Sequence, residues 1–129
     1  LDAMEQDRRN TLFEEFLRVV GYLQPEVVLM ENVRDLITRE NSDGTKVKDA
    51  IASSFNEHGY DCEYAVLEAH HYGVPQKRKR MFFLGTAPGV ETALPDPELD
   101  PDRWVTAKEA LADVFCMFED KQIELREDE

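Results

Sequence analysis

The stretch Tyr72-Gly73-Val74-Pro75-Gln76-Lys77-Arg78-Lys79-Arg80, followed at once by Met81-Phe82-Phe83-Leu84-Gly85, constrains this chain more than any other. Gly73 and Pro75 punctuate the backbone and mark a turn. The apolar run Met81–Leu84 is too short for a helix, closes at Gly85, and reads as a buried strand. Lys77 to Arg80 are therefore cations on a loop fastened to the core at its far end, which is how a rigid scaffold holds charge against a ligand. Alternation at a strand entrance sends Gln76, Arg78 and Arg80 to one side and Lys77 and Lys79 to the other. A same-side Gln-x-Arg-x-Arg offers several donors to a planar, oxygen-rich group. The two lysines are left for solvent or a phosphate backbone, and a plain solvated basic turn is the competing reading of the whole stretch.

The rest of the composition narrows what such a turn can serve. The chain has 129 residues, enough for one domain with a real core, and helical and strand-like runs alternate, which predicts an α/β architecture. Its net charge of −13 argues against a broad nucleic-acid surface, since phosphate binding depends on Lys and Arg. The acids, however, gather at Glu14-Glu15, in Glu91 to Asp102 and in the tail Glu119–Glu129, and none lies between Gln76 and Arg80. No apolar run approaches the roughly 20 residues of a membrane span, and no signal peptide is visible. Cys62 and Cys116 are isolated, without metal-ligand spacing; a disulfide between them is one reading, and reduced, cytoplasmic thiols with no bound metal are the expectation. The first residue is Leu1 rather than a methionine, which reads as a piece of something longer.

Taken in order, residues 1–10 look like a polar lead-in. Thr11-Leu12-Phe13-Glu14 fits a capping box with Thr11 as N-cap, and Leu12, Phe13, Phe16, Leu17 and Val20 recur at helical spacing. Pro25 ends that helix. Val27-Val28-Leu29-Met30 is a continuous apolar run, as expected of a central parallel strand covered on both faces. It stops at Glu31-Asn32-Val33, which puts a carboxylate where open α/β sheets bind ligands; a solvated loop start is the alternative. Thr45 is the predicted cap of a helix with Val47, Ala50, Ile51 and Phe55 on one face, and Gly59 sits where a C′ glycine belongs. Asp61–Leu67 is the next strand, completing a strand-helix-strand crossover. A loop from Glu68 to Arg80 then leads to Met81–Leu84, antiparallel to the strand before it. Prolines 88, 95, 97 and 101 describe a linker, and Thr106-Ala107-Lys108-Glu109 opens a short helix. Trp104 and Phe115 are apolar enough to dock, and the tail Glu119–Glu129 reads as frayed.

Met30-Glu31-Asn32-Val33, followed roughly 40 residues later by the Tyr72–Arg80 motif and an apolar strand, resembles the DNA cytosine-5 methyltransferases. In that family a Glu-Asn-Val motif ends one core strand and a Tyr-Gly-x-Pro-Gln-x-Arg-x-Arg motif precedes another. The helix from Thr11 to Val20 and the stretch Val105–Leu111 also look like family segments, so the resemblance covers about residues 7–115. It implies the later half of a class I, Rossmann-like methyltransferase sheet: a partial catalytic core over 1–87, then an acidic, proline-containing linker, short helix and tail over 88–129 leading toward a target-recognition domain. It implies double-stranded DNA as partner and S-adenosyl-L-methionine as cofactor, with methyl transfer to carbon 5 of a flipped cytosine, as in restriction-modification.

The family's residue roles carry over only where the motifs match. Glu31 matches the glutamate that donates to N3 of the base and accepts from its amine. Arg80 matches the arginine that contacts O2, and Arg78 its neighbour that helps hold the site. Asn32 and Gln76 are expected to support them, with Asn32 either orienting the nucleophile's loop or capping its own turn. Lys77 and Lys79 are expected at the DNA backbone. Leu12 stands where the family contacts the cofactor, and a core leucine is the other reading. Departures from the pattern are equally informative. The chain has no Pro-Cys pair for the family's nucleophile and no glycine-rich cofactor loop, Cys62 and Cys116 fall at the wrong places, and Glu68 replaces a usual Asn. By itself it is expected to methylate nothing. The alternative is a methyltransferase-like module that binds DNA or protein without reacting.

Overall fold

A long helix, α1 (Ala3–Leu23), leads into the sheet. In the computed structural model residues 3–41 and 43–114 are described, the first nine of them as backbone only. The helix overruns the predicted start: residues 3–10 are helical rather than a lead-in, and Thr11 lies in the helix interior, so the expected cap there is not formed. No Gly or Pro stands between Ala3 and Val20 to break the helix, and Ala, Met, Glu, Gln and Arg favour it. Leu17 and Val20 are buried along one stripe. Gln24, at φ 45°, takes the left-handed position just past the helix; its N–H donates to the Val20 carbonyl at 2.8 Å, and Pro25 prevents continuation.

Three strands follow: β1 (Val27–Val33), β2 (Asp61–Glu68) and β3 (Lys79–Thr86), in the spatial order β1-β3-β2. β1 is antiparallel to β3, in a register running from Val27 opposite Thr86 to Val33 opposite Arg80. At the other side of β3, the Ala69 N–H donates to the Arg78 carbonyl at 2.8 Å and the Thr86 hydroxyl to the Asp61 carbonyl at 3.4 Å. The start of β2 thus meets the end of β3 and vice versa, so these two strands are antiparallel as well. β1 and β2 consequently point the same way, linked through α2 (Val47–Glu57). The strand-helix-strand unit and the antiparallel last strand are as expected; β3 inserts between the two parallel members.

That insertion corrects the reading of β1. It is an edge strand among the described residues, not a central parallel one, and it continues through Glu31 to Val33 instead of stopping before them. The Ala87 N–H donates to the Glu26 carbonyl at 2.9 Å. Antiparallel alternation then turns the amides of Val28, Met30 and Asn32 toward β3 and those of Val27, Leu29, Glu31 and Val33 outward. The faces alternate too: Val28 is buried, whereas Leu29 is 57% exposed and Val27 and Val33 are also exposed. An unbroken apolar run carries no period from which an open face could be read.

The core lies on the Val28 face and collects Val20, Leu36, Ile51, Phe55, Tyr60, Met81 and Phe83. Phe16 of α1 meets Phe55 of α2 edge-on at 6.3 Å between centroids. The Tyr60 hydroxyl crosses to the Pro25 carbonyl at 2.8 Å. α2 starts at Lys46 without a side-chain cap; the predicted cap, Thr45, instead has its N–H held by Asp43 Oδ1 at 2.9 Å. Gly59 does occupy the left-handed position after α2, at φ 85°.

By compactness the chain divides in two: one unit holds residues up to Leu67 with Lys79–Asp96, the other Glu68–Arg78 with residues from Pro97 on. The second contains a 3-10 turn at Ala69–Tyr72, another at Pro101–Arg103, and the one-turn helix α3 (Ala107–Ala110), whose Thr106–Glu109 capping box forms in both directions as predicted. Phe115, Cys116 and the tail Glu119–Glu129 lie outside the described residues. No helix among those described is long and apolar enough to cross a membrane.

Gly85 has no room for a side chain, because a Cβ there would lie 2.6 Å from the Phe55 ring. Gly85→Ala is therefore expected to lower stability by about 1–3 kcal/mol in urea titration. An unchanged midpoint would show that this packing is looser than described.

Candidate active site

Glu31 and Arg80 are brought together by strand pairing alone. Arg80 lies directly opposite Val33 and Glu31 opposite Phe82. Directly opposed residues share a face and diagonal neighbours are within reach of long side chains, so Glu31 and Arg80 project from one side of the β1–β3 pair. Glu31 Oε1 and Arg80 Nε are 2.8 Å apart, with the carboxylate side chain 47% and the arginine 27% exposed. A second guanidinium nitrogen, Nη1, donates to the Lys79 carbonyl at 2.9 Å, which turns the fork toward Glu31. The open neighbours of Glu31 on this face are Val27, Leu29 and Val33. The pair is thus a carboxylate and a guanidinium in an apolar surround, reachable from solvent.

The other expected residues are distributed as follows. Asn32 points to the core-facing side of β1 and its Oδ1 accepts the Val33 N–H at 2.8 Å, so it caps its own strand end. Gln76, Lys77 and Arg78 belong to the second unit, where all three are exposed. There the Gln76 N–H donates to the Val74 carbonyl at 2.7 Å and the Arg78 N–H to the Gln76 carbonyl at 2.9 Å. Lys79 and Arg80 are not loop residues as predicted but the first two of β3. Lys79, expected toward solvent or a phosphate backbone, is half-buried. Leu12 is 75% exposed on α1 and lies outside the core of the described residues.

Cys62 is no candidate nucleophile. It is half-buried on β2, its Sγ–H donating weakly to the Glu63 carbonyl at 3.7 Å. Burial first, and the nearby Glu63 carboxylate second, push its pKa up to about 11. Two residues absent from the expected set, His70 and His71, fall in the same turn as Tyr72 and approach each other at 4.5 Å between ring centroids. The signal for them is Glu-Ala-His-His at positions 68–71, a spacing that matches no familiar ligand motif.

Comparison with known proteins points to one family. The family profile for C-5 cytosine-specific DNA methylase matches residues 2–127. Type II methyltransferase M1.HphI of Haemophilus parahaemolyticus is 42% identical over 91 residues, which is 70% of this chain and 24% of that protein. Type II methyltransferase M.DdeI of Desulfomicrobium norvegicum is 32% identical over 114 residues, 85% of this chain and 28% of that protein. A solved structure described as a DNA modification methyltransferase encoded within an E. coli prophage superposes with a TM-score of 0.60 at 30% identity, covering 81% of this chain and 30% of that one. The chain spans about a quarter of the length of the curated relatives it matches.

Two outcomes follow from this geometry. A half-exposed ion pair contributes at most about 1 kcal/mol, so Glu31→Gln should leave the urea midpoint of folding nearly unchanged; a loss above about 2 kcal/mol would assign Glu31 a structural role. Iodoacetamide labelling of Cys62, read on its own peptide by mass spectrometry, should be slow at pH 7.5 and accelerate as pH approaches 11. Labelling at the rate of the denatured chain would contradict its burial.

Proposed function

The chain belongs to the C-5 cytosine-specific DNA methylase family, and from that premise we propose that it supplies one wall of the base pocket of a DNA cytosine-5 methyltransferase. The observation that carries this is the ion pair between Glu31 and Arg80 on an accessible, otherwise apolar strand face. Cytosine inside a duplex presents its reacting carbon to no protein group, so the base has to leave the stack first. A thiolate adding to carbon 6 drives electron density onto N3 and O2 of the ring. A carboxylic acid at N3 and a guanidinium at O2 are the two groups that stabilise this charge.

Glu31 takes the N3 position in this reading: with a proton taken up from solvent it donates to N3, and its other oxygen accepts from the exocyclic amine. Paired with Arg80 it is an acceptor only, so the incoming base has to separate the pair. Arg80 is then released to O2, one residue along β3 from its carbonyl anchor on Lys79. Arg78 and Gln76 are assigned to holding this region of the site, and Lys77 and Lys79 to the DNA backbone. A few such cations suffice on a chain of net charge −13, because the contacts are made by position and not by bulk charge.

S-adenosyl-L-methionine would supply the methyl group. Leu12, exposed on α1, is assigned an apolar contact with it, but the chain contains no glycine-rich turn whose amides receive the cofactor. These residues alone do not make the cofactor's site. The nucleophilic cysteine is likewise not encoded, since no Pro-Cys pair occurs and Cys62 is held as the thiol. Methyl transfer is therefore a property of a protein that joins this chain to a Pro-Cys-Gln segment, with target choice made elsewhere again. The Type II names of the relatives favour a restriction-modification setting.

Radiolabelled S-adenosyl-L-methionine incubated with the chain and cytosine-containing DNA should give no transfer. In a protein carrying the Pro-Cys-Gln segment as well, Glu31→Gln should lower the single-turnover rate by about 100- to 1,000-fold while DNA affinity stays nearly constant. Transfer by the chain alone, or a wild-type rate for Glu31→Gln, would defeat the assignment.

A further inference from the structure

Outside the Glu31–Arg80 site, one cluster has the composition of a metal centre. Glu68 ends β2, and His70 and His71 follow on the 3-10 turn. One ligand atom from each of the three residues lies within 4.8 Å of the others. Glu68 Oε2 and His70 Nε2 are 3.4 Å apart. That separation is long for a hydrogen bond, yet it is the edge of a tetrahedron whose ligands stand about 2.0–2.1 Å from a central ion.

His70 is the most deeply held member of the set. It is only 8% exposed, and its Nδ1 is buried without a hydrogen-bond partner. An imidazole gives an ion one nitrogen, and at His70 it is Nε2, the one 3.4 Å from Glu68 Oε2. The surround also holds the rings still. Trp104 packs edge-on against His70 with centroids 4.1 Å apart and lies 5.5 Å from His71. The Trp104 indole N–H is itself directed to the Leu99 carbonyl at 3.3 Å. His71 is fixed through its backbone, its carbonyl accepting the N–H groups of Glu98 and Leu99 at 3.1 and 3.0 Å.

We propose that Glu68, His70 and His71 bind a divalent transition-metal ion of the zinc class. Two imidazoles and one carboxylate suit Zn²⁺ or Co²⁺ rather than Mg²⁺ or Ca²⁺, which take oxygen ligands. Three protein ligands leave the fourth position to water. The ion's place is at the root of the turn that carries Gln76, Lys77 and Arg78. That turn already closes on itself, from the Ala69 N–H to the Arg78 carbonyl and from the Val74 N–H to the Ala69 carbonyl. A metal there acts as a staple for the basic turn, and it revises the sequence-based expectation of no metal. The inference is independent of the methyltransferase assignment, since it needs neither DNA nor cofactor.

The test uses the 129-residue chain and the metals themselves. Calorimetric titration with Zn²⁺ should give one site with micromolar or tighter affinity, and Co²⁺ should develop the visible absorption of a tetrahedral N/O site. His71→Ala and Glu68→Gln, each checked for wild-type circular dichroism, should weaken Zn²⁺ binding by about 100-fold or more. His58→Ala, which alters the third histidine of the chain, should not. Without any substitution, Zn²⁺ should also protect His71, but not the exposed His58, from diethyl pyrocarbonate. Failure of the wild-type chain to bind Zn²⁺ would overturn the proposal. Binding that survives the two ligand variants, is lost with His58→Ala, or leaves His71 unprotected would overturn it equally.

Discussion

The antiparallel pairing of β1 with β3 is the constraint on which the rest of this structure depends. Strand side chains alternate with a period of two, so a slip of one residue would carry Glu31 to the core face and leave Arg80 facing a different partner. The register is pinned from the core side. Gly85 lies opposite Val28 and beneath the Phe55 ring, where a Cβ would come within 2.6 Å. A slip would bring Leu84 or Thr86 to that point and cannot be accommodated. The same glycine that lets α2 approach the sheet therefore sets, three to five positions along the ladder, the 2.8 Å contact between Glu31 and Arg80.

The pair itself is weak in thermodynamic terms, and that suits its assigned work. An ion pair partly in water contributes little to folding, so an incoming base loses little by dividing it and gains two polar contacts in return. What holds the groups in place is the strand ladder and the Lys79 carbonyl, not their mutual attraction. On the same face, Val27, Leu29 and Val33 remain open, and the outward amides of β1 meet no strand among the described residues. The chain thus presents a wall, consistent with its covering about a quarter of its relatives' length.

Much of this was legible in the sequence, and the exceptions have physical reasons. The Gln-x-Arg-x-Arg run put Arg80 at the entrance of a strand, and Glu-Asn-Val put Glu31 at the end of another. What the sequence could not give was that these two strands are neighbours, because β3 inserts between β1 and β2 and long-range pairing leaves no local pattern. The apolar run Val27–Met30 carried no sign of its open face among the described residues, because a continuous apolar run does not distinguish a strand covered on both faces from one with an open face. Thr11 and Thr45 carried good cap chemistry, yet α1 had no breaker before Thr11 and Asp43 had already taken the Thr45 amide. Thr106 faced neither competitor and capped as expected. His70 and His71 were passed over because adjacent histidines converge only when a 3-10 turn and a packed tryptophan bring their rings together.

The central claim is that Glu31 and Arg80 work as one unit on the flipped base. It is tested most directly by a double-mutant cycle of Glu31→Gln and Arg80→Ala, in a protein joining this chain to its Pro-Cys-Gln segment, read as single-turnover methyl transfer. Residues that act together are strongly non-additive. The account predicts that the double variant is little slower than the slower single one, with a coupling energy of about 1 kcal/mol or more. Independent, fully additive losses would contradict it.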